Sequence, residues 1–260
     1  MTRLDDLPYA PEHGFRGLGD LYLPARPEGA PAALVIHGGG WNAMDKQGLA
    51  GVAALLAEHG WGAYAINYRL LDQAPWPACG DDCLRGAQFL LEAGHAAMRP
   101  LDRSRLFVVG ASAGGHLALM TGLRLPPARV RAIVSIAGPT DLALRMKALG
   151  PERYRKFLGV ERDEEVTPEA LRPACPVHLA RPDSPPLLCI HSTCDELVPP
   201  EQSEAMAAAY RRAGAEAEVF LFKGNDKLHG IWDPATSNPR RLTPEPAGAL
   251  LAFAERMLAD

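Results

Sequence analysis

The sequence lacks the features that would point to a nucleic acid or a membrane as a partner. Of its 260 residues, 27 are Lys or Arg and 31 are Asp or Glu, so the formal net charge is −4 and no basic excess is available for a polyanion. No apolar run approaches the ~20 residues that a membrane-spanning helix needs, and the N-terminal stretch has no apolar core of a signal peptide. We therefore expect a cytoplasmic protein with no nucleic-acid or membrane partner.

Cysteine is scarce as well. The five cysteines form an odd and scattered set in a chain that is long enough to fold without disulfide bonds, so we expect reduced thiols. Cys79 and Cys83 are four residues apart, but no second pair with the spacing of metal ligands accompanies them. The sequence therefore predicts no metal site.

What the sequence does contain is an alternation of short apolar runs with amphipathic helical patterns. This alternation predicts a single α/β domain over residues 1–260, with a mostly parallel central sheet and helices on both faces. We also expect an antiparallel pair near residues 17–23 at one edge of the sheet. The predicted strands lie at residues 33–37, 63–68, 106–110, 131–136, 186–191 and 217–222.

One long segment interrupts the alternation. Residues 137–185 contain a charged helical piece at 151–162 and a proline-rich stretch at 172–185. Because long excursions inside a compact domain usually serve a function, we expect a small cap over the active site. A surface helix without such a role is the alternative.

The stretch GASAG at residues 110–114 carries the first sign of chemistry. It fits the pattern G-x-S-x-G, and it stands between a strand-like run and a helix-like run. This context is that of a nucleophile elbow, in which a sharp turn exposes a reactive serine. Ser112 is therefore the candidate nucleophile, and a plain glycine-rich turn is the alternative.

A second glycine-rich stretch, HGGGW at residues 37–41, follows the apolar run before it directly. Its glycines leave the sheet at the end where Ser112 should also emerge. Backbone N–H groups that are free of side-chain obstruction can stabilise the negative oxygen formed when a carbonyl is attacked. We expect this stretch to supply an oxyanion hole, with a flexible turn as the alternative.

A serine nucleophile also needs a base and an acid that orients the base. After a nucleophile elbow, the acid is expected to follow the serine along the chain, and the histidine that acts as the base is expected to follow the acid. Asp195 and His229 each stand just beyond a predicted strand, at the sheet edge where reactive side chains converge. Asp141 and Glu196 are rival candidates for the acid. His116 is too close to Ser112 in sequence to act easily as its base.

These motifs follow one another in a characteristic order. They are HGGGW at 37–41, NYRL at 67–70, WPA at 76–78 with Asp82, GASAG at 110–114, Asp195 and His229. The order resembles the α/β-hydrolase superfamily, and in particular its hormone-sensitive-lipase-like and feruloyl-esterase-like carboxylesterases. The resemblance runs from about residue 17 to the C-terminus.

The resemblance implies an α/β-hydrolase fold and a role for each matching residue. Ser112 would be the nucleophile, His229 the base and Asp195 the orienting acid, with N–H groups of Gly39, Gly40 and Ala113 as oxyanion donors. Two departures stand out. Asn67 occupies a position where the lipase-like enzymes often have Asp, and the segment at 224–229 is longer than the usual loop before the histidine.

The expected activity is hydrolysis of a small-molecule carboxylic ester with a short acyl or aryl group, through an acyl-enzyme and without a cofactor. Trp41 and Trp232 adjoin the site motifs and could flank the substrate, with ordinary core packing as the alternative for each. An arylformamidase, a small amidase or peptidase, and a catalytically inactive ligand-binding member of the fold are the alternative functions. The sequence leaves the oligomeric state open, a homodimer included.

Overall fold

A twisted β-sheet forms the centre of the structure. The computed structural model describes residues 1–237 and 239–259. Over these residues the sheet has eight strands, in the spatial order β1-β2-β4-β3-β5-β6-β7-β8. The strands are β1 (Thr2–Pro8), β2 (Leu18–Leu23), β3 (Pro31–Ile36), β4 (Gly62–Ile66), β5 (Asp102–Ala111), β6 (Val130–Ile136), β7 (Leu187–Ser192) and β8 (Ala217–Phe222).

The sheet is mostly parallel, as the sequence predicts. β1 pairs with β2 and β2 pairs with β4 in antiparallel fashion, whereas all other neighbouring strands are parallel. The strands from β3 to β7 are largely apolar and buried, apart from the polar first four residues of β5, because helices cover both faces of the sheet. Side chains on the two faces form two separate apolar clusters.

The first strand was not predicted from the sequence. β1 has the sequence TRLDDLP, and only Leu7 within it is buried. A strand at the edge of a sheet tolerates exposed charge, and such charge discourages pairing with another chain. Because of its charged residues, the strand lacks the apolar alternation from which strands are predicted.

Helices connect the strands and lie on both faces of the sheet. α3 (Ala113–Arg124) directly follows Ser112, and all of its residues except Arg124 are buried, which fits the apolar character of its whole surface. α7 (Glu201–Ala213) is followed by Gly214, whose φ of +79° is the left-handed conformation expected just past a helix end. The helices are α1 (Ala50–Glu58), α2 (Ala78–Leu91), α3 (Ala113–Arg124), α4 (Leu142–Leu149), α5 (Arg155–Leu158), α6 (Pro168–Leu171), α7 (Glu201–Ala213) and α8 (Pro244–Ala259).

The excursion at residues 137–185 consists of three short helices, α4, α5 and α6, joined by turns. Phe157 of α5 is buried and stacks on the ring of Trp76, with their centroids 5.5 Å apart. Thr167 caps α6, since its side chain accepts a hydrogen bond from the N–H of Ala170. The cap of α6 and the stacking of Phe157 on Trp76 thus stabilise the segment.

In the part of the chain that the structure describes, no helix combines the length and the hydropathy that crossing a membrane requires.

Candidate active site

Three side chains from distant loops meet at the carboxyl edge of the sheet. Ser112 follows β5, Asp195 follows β7 and His229 follows β8. The Oγ of Ser112 is 2.9 Å from Nε2 of His229, and Nδ1 of His229 is 2.7 Å from Oδ2 of Asp195. The structure thus brings the three predicted residues into one hydrogen-bonded series. It leaves the rival acid Asp141 elsewhere, at the N-terminus of α4, where its Oδ1 accepts from the N–H of Leu144.

Ser112 occupies a sharp turn between β5 and α3. Its φ of 56° and ψ of −125° are an unfavourable backbone conformation for a residue with a side chain, and such strain is concentrated at functional sites. The neighbouring glycines are required by close approach of backbone atoms. A Cβ at Gly110 would lie 2.1 Å from the carbonyl oxygen of Gly114, and a Cβ at Gly114 would lie 2.0 Å from that of Ile36. The turn therefore holds the Ser112 hydroxyl clear of the sheet.

Asp195 is buried and is held as a carboxylate. Its Oδ1 accepts hydrogen bonds from the N–H groups of Leu197 and Val198, both at 2.9 Å, while Oδ2 accepts from His229. Burial alone would raise its pKa, but hydrogen bonds from His191, His229 and the backbone hold that pKa well below its usual range. An ionised Asp195 accepts from Nδ1–H of His229, which leaves Nε2 free to accept the Ser112 proton.

A second histidine, His191, packs behind Asp195. Its Nε2 donates to the carbonyl of Val198 at 2.7 Å and lies 3.4 Å from Oδ2 of Asp195. Its Nδ1 accepts from the hydroxyl of Ser203 at 2.7 Å. His191 therefore ties the Asp195 loop to α7.

The loop that carries His229 is closed by Asp226. Oδ1 of Asp226 accepts from the N–H groups of Leu228, at 2.6 Å, and Gly230, at 3.0 Å. His229 itself has a φ of 77°, which such a tight turn demands. The extra length of this loop relative to the resembling enzymes therefore forms a small closed turn, and the turn aims the imidazole at Ser112.

The glycine loop at residues 37–41 leaves β3 beside Ser112. Gly39 has a φ of 102°, and a Cβ there would lie 2.1 Å from the carbonyl oxygen of Ala43, so only glycine fits. The N–H groups of Gly39, Gly40 and Ala113 donate to no acceptor among the described residues. Gly39 and Gly40 line the cavity at Ser112, and Ala113 is the first residue of α3. N–H groups in this position can receive a negative oxygen.

The NYRL motif supports this loop from behind. The hydroxyl of Tyr68 donates to the carbonyls of His37 and Gly38, at 3.0 and 3.1 Å. Arg69 forms a two-point hydrogen-bonded ion pair with Asp82, and Asp82 also accepts from the Arg69 N–H. These residues are buried or half-buried and do not line the cavity. Their role is to hold the end of β3 against α2.

An open cavity of about 290 Å³ lies over Ser112 and His229. Its wall is mostly apolar, and Trp232 forms part of it, as the sequence suggests. Sequence reasoning missed several of the lining residues, although some stand next to site residues in loops, where an apolar side chain is left exposed. These missed residues are Met44, Leu49, Leu197, Leu228 and Arg240.

Trp41 does not line this cavity. Its indole is buried against the rings of His116 and Phe157. The core-packing alternative therefore describes Trp41 better than the substrate-flanking one. His116 likewise packs and hydrogen-bonds, with Nε2 donating to the carbonyl of Ala174 at 2.8 Å.

Residues 137–185 reach the site through this aromatic cluster. Phe157 packs on Trp41, and Ala174 accepts from His116, whereas no described residue of the segment lines the cavity over Ser112. A role of the segment as a cap stays a prediction. Over the described residues no group of three or more His, Cys, Asp or Glu side chains is arranged to hold a metal ion.

Comparison with known families identifies the chain. The model of the BD-FAE family matches residues 19–210, which is more than half of the chain. The chain belongs to the BD-FAE family. Among curated proteins, this BD-FAE chain is similar to Esterase LipC of Mycobacterium tuberculosis, with 30% identity over 240 residues that cover 84% of the chain and 57% of LipC. It is also similar to Esterase LipQ of the same organism, with 28% identity over 94% of the chain and 61% of LipQ. The chain thus spans only part of the length of these relatives.

Solved structures share the architecture over nearly the whole chain. A truncated form of a carbohydrate esterase from gut microbiota superposes with a TM-score of 0.85 and 23% identity, covering 100% of this chain and 97% of the other. Esterase B from Lactobacillus rhamnosis (HN001) superposes with a TM-score of 0.78 and 18% identity, covering 99% and 85%. The BD-FAE chain therefore has the α/β-hydrolase fold, and the fold predicted from its motifs is confirmed.

Proposed function

We propose that this protein is a carboxylesterase-type serine hydrolase that cleaves small carboxylic esters through an acyl-enzyme. The observation that carries the proposal is the series from Asp195 through His229 to Ser112, with hydrogen bonds of 2.7 and 2.9 Å, at the base of an open apolar cavity. Membership of the BD-FAE family and similarity to proteins named as esterases support the same reaction.

In the first step, Ser112 attacks the ester carbonyl while Nε2 of His229 takes the hydroxyl proton. The C–O bond of the tetrahedral intermediate then breaks, and His229 returns the proton to the departing alcohol. Asp195 stays ionised and accepts from Nδ1–H, so it favours the tautomer in which Nε2 is free and stabilises the imidazolium that forms. The acyl group is then bonded to Oγ of Ser112.

The negative oxygen of the tetrahedral intermediate needs donors that are already in place. N–H groups of Gly39, Gly40 and Ala113 fulfil this role in the proposal, each contributing roughly 3 kcal/mol to the stability of the transition state. Their lack of acceptors among the described residues supports it, because nothing must be displaced when the oxygen becomes charged.

Water then releases the acyl group. His229 takes a proton from the water as its oxygen attacks the acyl carbonyl, and it returns the proton to Oγ of Ser112 when the ester bond breaks. This second half repeats the first with water in place of the serine, so the same donors and the same base serve both.

The cavity favours a small substrate. Its volume of about 290 Å³ and its walls of Met44, Leu49, Leu197, Leu228 and Trp232 suit a short acyl or an aryl group. The apolar side chains of this wall offer no strong hydrogen-bond acceptor to an amide N–H, so they favour neither an amide nor an ester.

Labelling with a fluorophosphonate tests the proposal directly. The wild-type protein should be labelled once, at Ser112, and Ser112→Ala should abolish labelling. Ser104→Ala is the matched control, because Ser104 is an exposed serine of β5, the strand that precedes Ser112, and this variant should be labelled normally. Absence of labelling in folded wild-type protein would refute the proposed nucleophile.

A substrate panel tests the reaction class. p-Nitrophenyl acetate and butyrate should be hydrolysed faster than the octanoate, and faster than p-nitroacetanilide or a formylated aryl amine. The Ser112→Ala and His229→Ala variants should each lose several orders of magnitude in kcat. Faster cleavage of the amides would assign an amidase in place of an esterase.

A further inference from the structure

The cavity over Ser112 contains one formally charged side chain among the described residues that line it. That side chain is Arg240, and the remaining walls are glycine, alanine and large apolar residues together with Ser112 and His229. The hydrolysis of a neutral ester does not require a guanidinium, since oxyanion stabilisation falls to backbone N–H groups in the mechanism above. Arg240 is therefore a feature of the site that the reaction leaves unexplained.

A closed loop holds Arg240 at this position. Trp232 and Leu242 form an antiparallel bridge, and the N–H of Asp233 donates to the carbonyl of Arg241 at 2.9 Å. These contacts join the two ends of the loop that carries Arg240. On its outer side the backbone of Arg240 touches α1, because a Cβ at Gly51 would lie 2.0 Å from the Arg240 carbonyl oxygen. The backbone that carries the guanidinium is thus fixed from two directions.

The guanidinium itself packs on the wall of the cavity. Its Cζ lies 4.8 Å from the centroid of the Trp232 ring, which is the distance of a cation–π contact. Stacking of this kind fixes the plane of the guanidinium and leaves its N–H edges free to bind an anion. A carboxylate can accept two parallel hydrogen bonds from such an edge.

No carboxylate of the described chain forms a salt bridge with Arg240, in contrast to its neighbour Arg241, which lies 3.7 Å from Glu58. Two acidic residues, Asp226 and Asp233, line an adjoining cavity together with Arg240. Asp226 accepts from the N–H groups of Leu228 and Gly230, and Asp233 accepts from that of Ala235. Both carboxylates thus accept hydrogen bonds from backbone N–H groups, and neither forms a salt bridge with Arg240 in the described part of the chain.

We infer that Arg240 is a specificity-determining residue that selects esters bearing a carboxylate. The apolar walls would take the body of the substrate, and the guanidinium would take the carboxylate at the rim of the cavity. This inference rests on the proposed function, since it assigns the substrate class of the same site. The carboxylate can belong to the acyl part or to the alcohol part of the ester, and both sources present the same group to Arg240.

Two pairs of esters distinguish the sources. Monomethyl adipate and methyl hexanoate differ by a carboxylate on the acyl side, while 4-acetoxybenzoate and 4-acetoxybenzamide differ by a carboxylate on the alcohol side. The readout is the ratio of kcat/KM for the charged and the neutral member of each pair. For one of the two pairs, this ratio should be about tenfold higher in the wild-type protein than in Arg240→Gln. The pair that shows this difference identifies whether the carboxylate belongs to the acyl side or to the alcohol side of the ester.

Two further variants sharpen the test. Arg240→Lys should give an intermediate ratio, because an ammonium keeps the charge but loses the paired hydrogen bonds. Arg241→Gln is the matched control, since it removes a neighbouring charge that pairs with Glu58 and lies outside the cavity, and it should leave the ratio unchanged. Higher ionic strength should lower the ratio in the wild type and not in Arg240→Gln.

Binding provides a readout that does not depend on turnover. Calorimetry on the Ser112→Ala variant should give tighter binding of the charged ester of the sensitive pair, and the double variant with Arg240→Gln should lose this difference. Equal ratios in wild type and Arg240→Gln for both pairs, or an equal effect of Arg241→Gln, would overturn the inference and leave the proposed function intact. Failure of the proposed function would appear instead as no labelling of Ser112 and no hydrolysis of any ester.

Discussion

The indole N–H of Trp41 donates a hydrogen bond to Nδ1 of His116, 3.3 Å away. Nε2 of His116 donates on its other side to the carbonyl of Ala174. The imidazole is therefore neutral, with its proton on Nε2, and it connects the glycine loop at 37–41 with the excursion at 137–185. Complete burial lowers the pKa of His116 from 6.5 to about 4, although the bond to Ala174 acts in the opposite direction.

This buried imidazole should make the protein sensitive to acid. Between pH 6.5 and pH 4 the unfolded chain binds a proton at His116 that the folded chain does not, so the free energy of unfolding falls as the pH is lowered through this window. From the shift of this pKa, the loss caused by His116 is about 2 kcal/mol between pH 7 and pH 5. Urea unfolding of the wild type and of His116→Gln at both pH values measures it.

The variant should lose less stability on acidification than the wild type, whatever its stability at pH 7. A residual loss should persist, because His37 is also completely buried and its pKa is lowered to about 4 by that burial. The same loss in wild type and His116→Gln would show that His116 takes up its proton without unfolding.

Tyr68→Phe should lower kcat as well as the free energy of unfolding, and the fall in kcat should exceed that of a variant with the same loss of stability. The variant leaves the carbonyls of His37 and Gly38 without their buried donor, at a cost of about 1 to 3 kcal/mol. Because these carbonyls precede Gly39 and Gly40, the proposed oxyanion donors shift with them, and kcat should fall about tenfold. The experiment compares kcat for p-nitrophenyl acetate with the urea midpoint.

Tyr64→Phe is the matched control for this variant. Tyr64 is equally buried, and its hydroxyl donates to the carbonyl of Leu7, on the antiparallel side of the sheet. It should lose similar stability while keeping kcat within about twofold of the wild type. An equal fall of kcat in both variants would mean that Tyr68 acts on stability alone.

The extent to which sequence predicted this molecule differs between elements. The predicted strands at 33–37 and 217–222 lie within two residues of β3 (Pro31–Ile36) and β8 (Ala217–Phe222), because apolar runs between helical patterns are a local signal. β1 was missed, since an edge strand is stabilised by pairing and not by apolar alternation.

The candidate site divides in the same way. Ser112, Asp195 and His229 could be located because each stands at the end of a strand, and the parallel sheet itself brings those ends together. Arg240 could not, since it reaches the cavity only through a loop closed by the bridge between Trp232 and Leu242. The burial of Trp41 was equally hidden, because it depends on contacts with His116 and Phe157, which are distant in sequence.

Asp195→Asn should lower kcat by about 10⁴-fold with little loss of binding. The side-chain oxygen can still accept from the N–H groups of Leu197 and Val198, which turns the amide NH₂ toward Nδ1 of His229. Nδ1 must then accept, so the proton moves to Nε2 and the imidazole can no longer take the Ser112 proton. Asp141→Asn is the control, because asparagine preserves the cap of α4, and it should keep full activity. A large loss in the Asp141 variant and none in the Asp195 variant would reverse the assignment of the acid.

Gly114→Ala should destabilise the protein, by about 3 kcal/mol, although alanine is the better helix former. The added Cβ would lie 2.0 Å from the carbonyl oxygen of Ile36 and 2.5 Å from that of His37, and backbone atoms of a central strand cannot move aside. Gly248→Ala provides the contrast within α8, where nothing lies within 4 Å of the new Cβ, and it should stabilise by about 1 kcal/mol. Urea midpoints and fluorophosphonate labelling of the two variants measure the difference. Equal stability and equal labelling of Gly114→Ala and Gly248→Ala would mean that the turn at Ser112 can move away from β3. The close contact of α3 with β3 would then not be what holds the Ser112 hydroxyl in place.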